Sequence, residues 1–378
     1  MHRLRRALGL MPLLVALTAV LLSAPPPAPP LSTESTSPEI AQADALVRQA
    51  MASEGYPGLA IAVSVQGRTV WAEGYGYANL EHRIPVWPQT TRFRIGSISK
   101  PFTAVAVAQL HAAGELDVDA PVQTYVPAFP EKTHPVTTRQ LGAHLGGIRH
   151  YRNQEFLLNE RFATVDEGLA IFQDDPLMHE PGSRYAYSSY GWNLISAVVE
   201  GASGQDFLPH MTEHVFRPLG MHQTVADHAD SLITQRTGFY TRGEDGTLLN
   251  APAVDNSYKW AGGGFLSTVT DLLLFARAMM DGETLPPEAQ ALLFTEQQTT
   301  AGEGVQYGFG WRVASDEDGD PLWSHTGGSV GGTSILVLHP ATQVAVAMSI
   351  NQSGADLDVG REVLALFVAA EEERAGMD

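Results

Sequence analysis

The sequence predicts an α+β fold: a central antiparallel sheet drawn from both chain ends, flanked by helices, with a mainly helical lobe inserted between the two halves. Three observations carry this. Toward the N-terminus, LAIAVSV and RTVWAEGYGYA flank Gln66-Gly67, the pattern of a β-hairpin. Toward the C-terminus, YGFGWRV, LWSH, TSILVLHP and VAVAMSI read as successive strands. From about residue 121 to 259 the pattern changes to short helices and loops rich in Pro and Gly.

Each element follows from its residues. Residues 1–24 open on MHRLRR and continue through an apolar run to LLSA, which reads as an export signal for a periplasmic or secreted protein. The run is short for a membrane span, so membrane contact is expected only through an uncleaved signal. Residues 25–41 are rich in Pro, Ser and Thr and read as an extended linker. The domain proper is expected over 42–375, with an α/β lobe at 42–120 and 260–375 and a helical lobe at 121–259. A helix is predicted over Asp44 to Glu54. PFTAVAVAQLHAAGEL has apolar residues at helical spacing and Gly114 as its stop. Thr268 to Asp271 resembles a capping box, and Leu272, Phe275, Ala276 and Met279 share one face of the helix that follows. A last helix is predicted from Val359 to Glu373.

Composition narrows the function. A formal net charge of −19 argues against nucleic acid and anionic membranes as partners. With no cysteine in the chain, disulfides, thiolate catalysis and cysteine-ligated zinc are excluded. No metal or organic cofactor is implied.

Several motifs could carry chemistry. In RIGSISKPF, Ser97 and Lys100 stand three residues apart at a helix start, so hydroxyl and amine can meet on one face. A desolvated, neutral lysine could take the serine proton, and helix N–H groups could hold an oxyanion. The plainer reading is a helix-capping serine and a surface lysine. Lysine occurs only at 100, 132 and 259, which makes its place beside Ser97 notable. Gly327 to Gly331 satisfies G-x-S-x-G, but a strand rather than a helix follows, so Ser329 is not expected at a nucleophile elbow. His210 and His214 fit H-x-x-E-H, yet no third metal ligand is evident nearby.

Taken together, Ser97-Ile98-Ser99-Lys100, Tyr187-Ser188-Ser189 and His325-Thr326-Gly327 resemble, in order and spacing, the three motifs of the serine β-lactamase and penicillin-binding-protein superfamily. LGAHLGGIRHY, RPLGMHQT and AGGGFLSTVTDLLLFARAM strengthen the resemblance, which covers about residues 42 to 370. It implies a β-lactamase/transpeptidase-like fold and an acyl-serine mechanism. Ser97 would be the nucleophile. Lys100 and Tyr187 would handle the proton, with the choice of base left open. The N–H groups of Ser97 and Gly328 would form the oxyanion hole, and Ser189, His325, Thr326 and Gly327 would contact substrate. Ser189 stands where Asn is usual and His325 where Lys is usual. Both departures favour a peptidase or esterase acting on small peptides, amides or esters over an efficient β-lactamase. GIRHY, VPAFPEK and VDNSYKWAGGGFLSTV further resemble the mitochondrial serine β-lactamase-like branch, of which the chain reads as a bacterial relative. That branch implies an alternative: a homo-oligomer or filament-forming protein with a vestigial site.

Overall fold

A computed structural model describes residues 37–377. The leader reading of residues 1–24, and most of the linker reading, lie outside the described residues.

The chain enters with α1 (Pro38–Glu54). This helix begins six residues before the predicted Asp44, so the last residues of the expected linker are helical. Pro38 suits a first helical turn, where a missing N–H costs nothing. The hairpin follows as β1 (Gly58–Val65) and β2 (Arg68–Asn79), with β3 (Ile84–Pro85) beside it. Gln66 and Gly67 at the turn both have positive φ, 50° and 70°, the backbone twist a two-residue hairpin needs. Next come α2 (Ser99–Ala112), α3 (Ser189–Ser203) and α4 (Val269–Met280). The chain closes with β4 (Arg312–Ser315), β5 (Pro321–Ser329), β6 (Gly332–His339), β7 (Val344–Ile350) and α5 (Asp358–Ala375). Of the predicted strand YGFGWRV, only its last two residues enter β4.

The sheet runs β3-β2-β1-β7-β6-β5-β4, every pairing antiparallel. β1 pairs with β7 from Leu59↔Ile350 to Val65↔Val344, which joins the two chain ends in one sheet as expected. Alternation explains why it takes helices on both faces. Leu59, Ile61 and Val63 of β1, with Val346 and Met348 of β7, pack with Val47 of α1 and Val363 and Phe367 of α5. The residues between them, Ala60, Ala62, Ala345 and Ala347, face the other way into the cluster that holds Leu272, Phe275 and Ala276 of α4. Small side chains on that face let α4 lie close across the central strands.

Two local details differ from expectation. Thr268 does cap α4, its hydroxyl accepting from the Asp271 N–H at 3.1 Å. The Asp271 carboxylate does not complete a box. It accepts instead from Gln223 N–H and the Thr224 hydroxyl, tying α4 to the segment at 223–224. Ser97 sits in a 3-10 turn, Gly96–Ile98, that feeds α2 rather than on the α-helix itself. Among the described residues, no helix is long and apolar enough to cross a membrane.

Candidate active site

Three segments converge at the N-terminus of α2. The turn Gly96–Ile98 carries half-buried Ser97. The loop before α3 carries Tyr187, and α3 begins at Ser189, capped by the Ser188 hydroxyl accepting from Gly191 N–H. The edge of β5 brings His325 to Gly328 against the turn. This last approach depends on two glycines. At Gly96, with φ of 51°, a Cβ would fall 2.6 Å from the Gly328 carbonyl oxygen; at Gly327 it would fall 1.8 Å from that of Ile95. Both contacts are shorter than any side chain permits.

Ser97 Oγ lies at the centre. Lys100 Nζ is 3.0 Å from it, and the Tyr187 hydroxyl donates to it at 2.8 Å. Lys100 is fully buried and also donates to the Gly262 carbonyl at 2.6 Å and to Ser189 Oγ at 3.2 Å. Burial without a neighbouring carboxylate pushes the Lys100 amine well below its usual range. Burial pushes the Tyr187 phenol up, outweighing its hydrogen bonds with the serines. The two directions bear on the roles the sequence left open: burial favours the neutral form of the Lys100 amine and the protonated form of the Tyr187 phenol. Ser99 is occupied otherwise, its hydroxyl donating to Gly96 O at 2.8 Å.

The segment carrying Tyr187 is held by two histidines. His144 Nδ1 accepts from Ser188 N–H and His150 Nδ1 accepts from Ser189 N–H, each at 3.1 Å. The His144 ring also lies against that of Tyr187, with centroids 4.2 Å apart. Burial holds both imidazoles neutral, His150 down to about 4. Neutrality leaves Nδ1 free to accept.

A pocket of about 290 Å³ opens over Ser97. Ser189, His325, Thr326 and Gly328 border it, and so do His150, Lys259 and Arg312. One expected substrate contact is corrected here, and a second is found on the wall but bonded within the protein. Gly327 is not on the pocket wall, because its α-carbon faces Ile95. His325 reaches the wall but is committed within the protein, with Nε2 2.9 Å from the Tyr307 hydroxyl and Nδ1 2.6 Å from Thr326 O. Burial drives its imidazole down to about 3, so it offers no cation in place of the usual lysine. The sequence reading missed His144, His150, Lys259 and Arg312. The scarcity of lysine that drew attention to Lys100 applied equally to Lys259.

The other motifs separate from this site. Ser329 ends β5, and β6 starts at Gly332, so G-x-S-x-G spans a hairpin and not a strand-to-helix elbow. The His210 and His214 rings lie 4.6 Å apart, tilted by 34°, and share Gln205 Oε1. Neither enters a metal-type cluster; among the described residues the one such grouping is Asp316, Asp320 and His339.

Comparison with known proteins identifies the family. The β-lactamase family model matches residues 43–370. The mitochondrial serine β-lactamase-like protein LACTB of Homo sapiens is 36% identical, the match covering 83% of this chain and 74% of that protein. The D-aminopeptidase of Gluconobacter oxydans is 27% identical over 84% of this chain and 61% of its own length. Among solved structures, the octameric penicillin-binding protein homologue of Pyrococcus abyssi superposes with a TM-score of 0.75 at 26% identity, covering 87% of this chain and 77% of that one. The chain belongs to the β-lactamase family, within the serine hydrolases related to β-lactamases and penicillin-binding proteins.

Proposed function

We propose that this protein hydrolyses amide or ester bonds of small substrates through an acyl-serine formed on Ser97. The observation that carries the reading is the pair of contacts on Ser97 Oγ: a buried lysine at 3.0 Å and a tyrosine hydroxyl at 2.8 Å. With Lys100 neutral, the serine proton passes to its amine as Oγ attacks the substrate carbonyl. Tyr187 remains a donor at the serine oxygen and relays the proton to the departing amine or alcohol. Developing charge on the carbonyl oxygen falls to the N–H groups of Ser97 and Gly328, which belong to two segments packed closely together at Gly96 and Gly327. Once the leaving group has taken the proton, Lys100 is neutral again and can activate water against the acyl-enzyme.

Peptidase or esterase chemistry is favoured over efficient β-lactam hydrolysis because Ser189 replaces an amide and His325 is neutral. The amino-peptidase named among the relatives supports the amide alternative. Export and homo-oligomerisation belong to the same proposal, the first supported by the leader-like residues 1–24 and the second by the octameric relative. The decisive experiment is a fluorophosphonate probe followed by intact mass on wild type and Ser97→Ala. D-peptides, L-peptides, p-nitrophenyl esters and nitrocefin are assayed alongside. One adduct, lost in Ser97→Ala, is expected. No adduct with any acylating probe would remove the reading.

A further inference from the structure

The three lysines of this chain have different fates. Lys132 donates to the backbone carbonyls of Gln173 and Asp175. Lys100 is saturated by Ser97, Ser189 and Gly262. Lys259 is 2% exposed, yet among the described residues its amine makes no hydrogen bond and no ion pair. It stands in an aromatic enclosure, with Nζ 4.4 Å from the ring centre of Phe156, 5.2 Å from Tyr258 and 5.8 Å from Tyr151. Ring faces attract a cation but cannot replace the hydrogen bonds of water.

The surroundings do not supply the missing partner. Asp227 is an acid whose charge acts on Lys259, and it is bound by Arg94, Arg236 and Asn256. Glu155 is held by Arg149 and the Tyr190 hydroxyl. Lys259 does border the pocket above Ser97, whose walls carry no acidic side chain. Arg312, also on that wall, is likewise without a side-chain partner among the described residues. A protein of net charge −19 thus presents a pocket whose only formal charges are cationic.

We propose that Lys259 is a specificity-determining residue that receives a carboxylate of the substrate, so that the preferred amides and esters are anionic beside the scissile bond. The inference rests on the acyl-serine reading above. A desolvated amine with one open side discriminates strongly, because a neutral analogue leaves it unpaired, whereas a carboxylate supplies charge and hydrogen bonds together. Burial already draws the Lys259 amine down to about 7, and a carboxylate in the pocket restores its charged form. His325 cannot do this work, being neutral and engaged with Tyr307.

Two arms test it. The first measures kcat/KM for matched acidic and amide substrates. N-acetyl-aspartyl and N-acetyl-glutamyl anilides are set against their asparaginyl and glutaminyl partners, and N-acetyl-alanyl-glutamate against its glutamine analogue. In at least one series, wild type should prefer the acid by about tenfold or more. Lys259→Met should abolish that ratio, and Lys259→Arg should retain part of it. A ratio within one protein is insensitive to how much of that protein is folded. The second arm titrates N-acetylglutamate into Ser97→Ala with and without Lys259→Met, and expects at least about tenfold weaker binding in the double variant. Failure of Ser97 to acylate any probe would defeat the hydrolase reading while this arm still answers for Lys259. Equal rates for acid and amide in every series, or an acid preference untouched by Lys259→Met, would overturn the proposal.

Discussion

Tyr187 and Ser97, ninety positions apart in the chain, meet with the phenol hydroxyl 2.8 Å from the serine oxygen. The direction of this bond follows from the pKa directions: a phenol pushed up by burial donates, and the serine hydroxyl is left to give its own proton to Lys100. Tyr187→Phe keeps the ring against His144 and removes only the donor. Acylation of Ser97 should slow by about 10²- to 10⁴-fold, the span of a positioned acid or base. Thermal stability should barely move. Stopped-flow labelling with a fluorophosphonate checks the first and calorimetry the second; unchanged acylation would remove Tyr187 from the proton path.

Lys100 has a lysine's reach but not a lysine's usual charge. Its folded pKa is lowered, so the folded site is neutral over a pH range where the free amine carries a proton. The base form is therefore populated at lower pH than in a free lysine. Acylation should rise from acid pH as Lys100 loses its proton and then level off far below the ordinary lysine value. Lys100→Arg, charged at all accessible pH, should lose about 10³-fold or more and show no such limb. A wild-type profile still climbing near the ordinary lysine range would contradict a desolvated base.

Gly327→Ala tests the seam between sheet and turn. The added methyl meets the Ile95 carbonyl at 1.8 Å, a backbone atom that cannot rotate aside. β5 and the Ser97 turn must separate, which pulls Gly328 from its place opposite Ser97. We expect a destabilisation of about 1–3 kcal/mol, as for other overpacked sites, together with a loss of kcat larger than the change in KM. Gly328→Ala is the contrast, since nothing lies within 4 Å of the added carbon there. It should fold as wild type does. Equal stability in the two variants would show that the close approach at Gly327 is unimportant.

Much of this was legible in the sequence because the relevant signals are periodic or local. The large-small alternation of LAIAVSV and VAVAMSI determines which face of each strand takes which helix, and Gln66-Gly67 marks the turn between strands. S-x-x-K placed Ser97 and Lys100 together within one turn. What the sequence could not display was long-range satisfaction of polar groups. Asp271 looked like a local cap, but Gln223 and Thr224 claim its carboxylate. His325 looked like a substrate contact, but Tyr307 claims its ring. Lys259 was passed over for the converse reason, since its importance lies in the partner it lacks.

The buried histidine at 325 leaves a signature in stability against pH. Its folded pKa lies at about 3, below the 6.5 of the free side chain, because burial opposes the charged form. Above that free value both states are neutral and the group has no effect on folding. As pH falls below it, the unfolded chain takes up a proton that the folded protein refuses until about pH 3. Stability is therefore lost on acidification through this window, at about 1.4 kcal/mol per pH unit for this one group. Gln at this position keeps an acceptor for Tyr307 and a donor for Thr326 O without titrating. Urea unfolding of wild type and His325→Gln between about pH 4.5 and 7 should give curves that diverge toward neutral pH, the wild type gaining relative stability with about the slope of one proton. His150 remains in both proteins and cancels in the difference, and His144, whose shift comes first from its own burial, largely does so. Parallel curves would mean that His325 titrates alike in the folded and unfolded states, contrary to its burial against Tyr307.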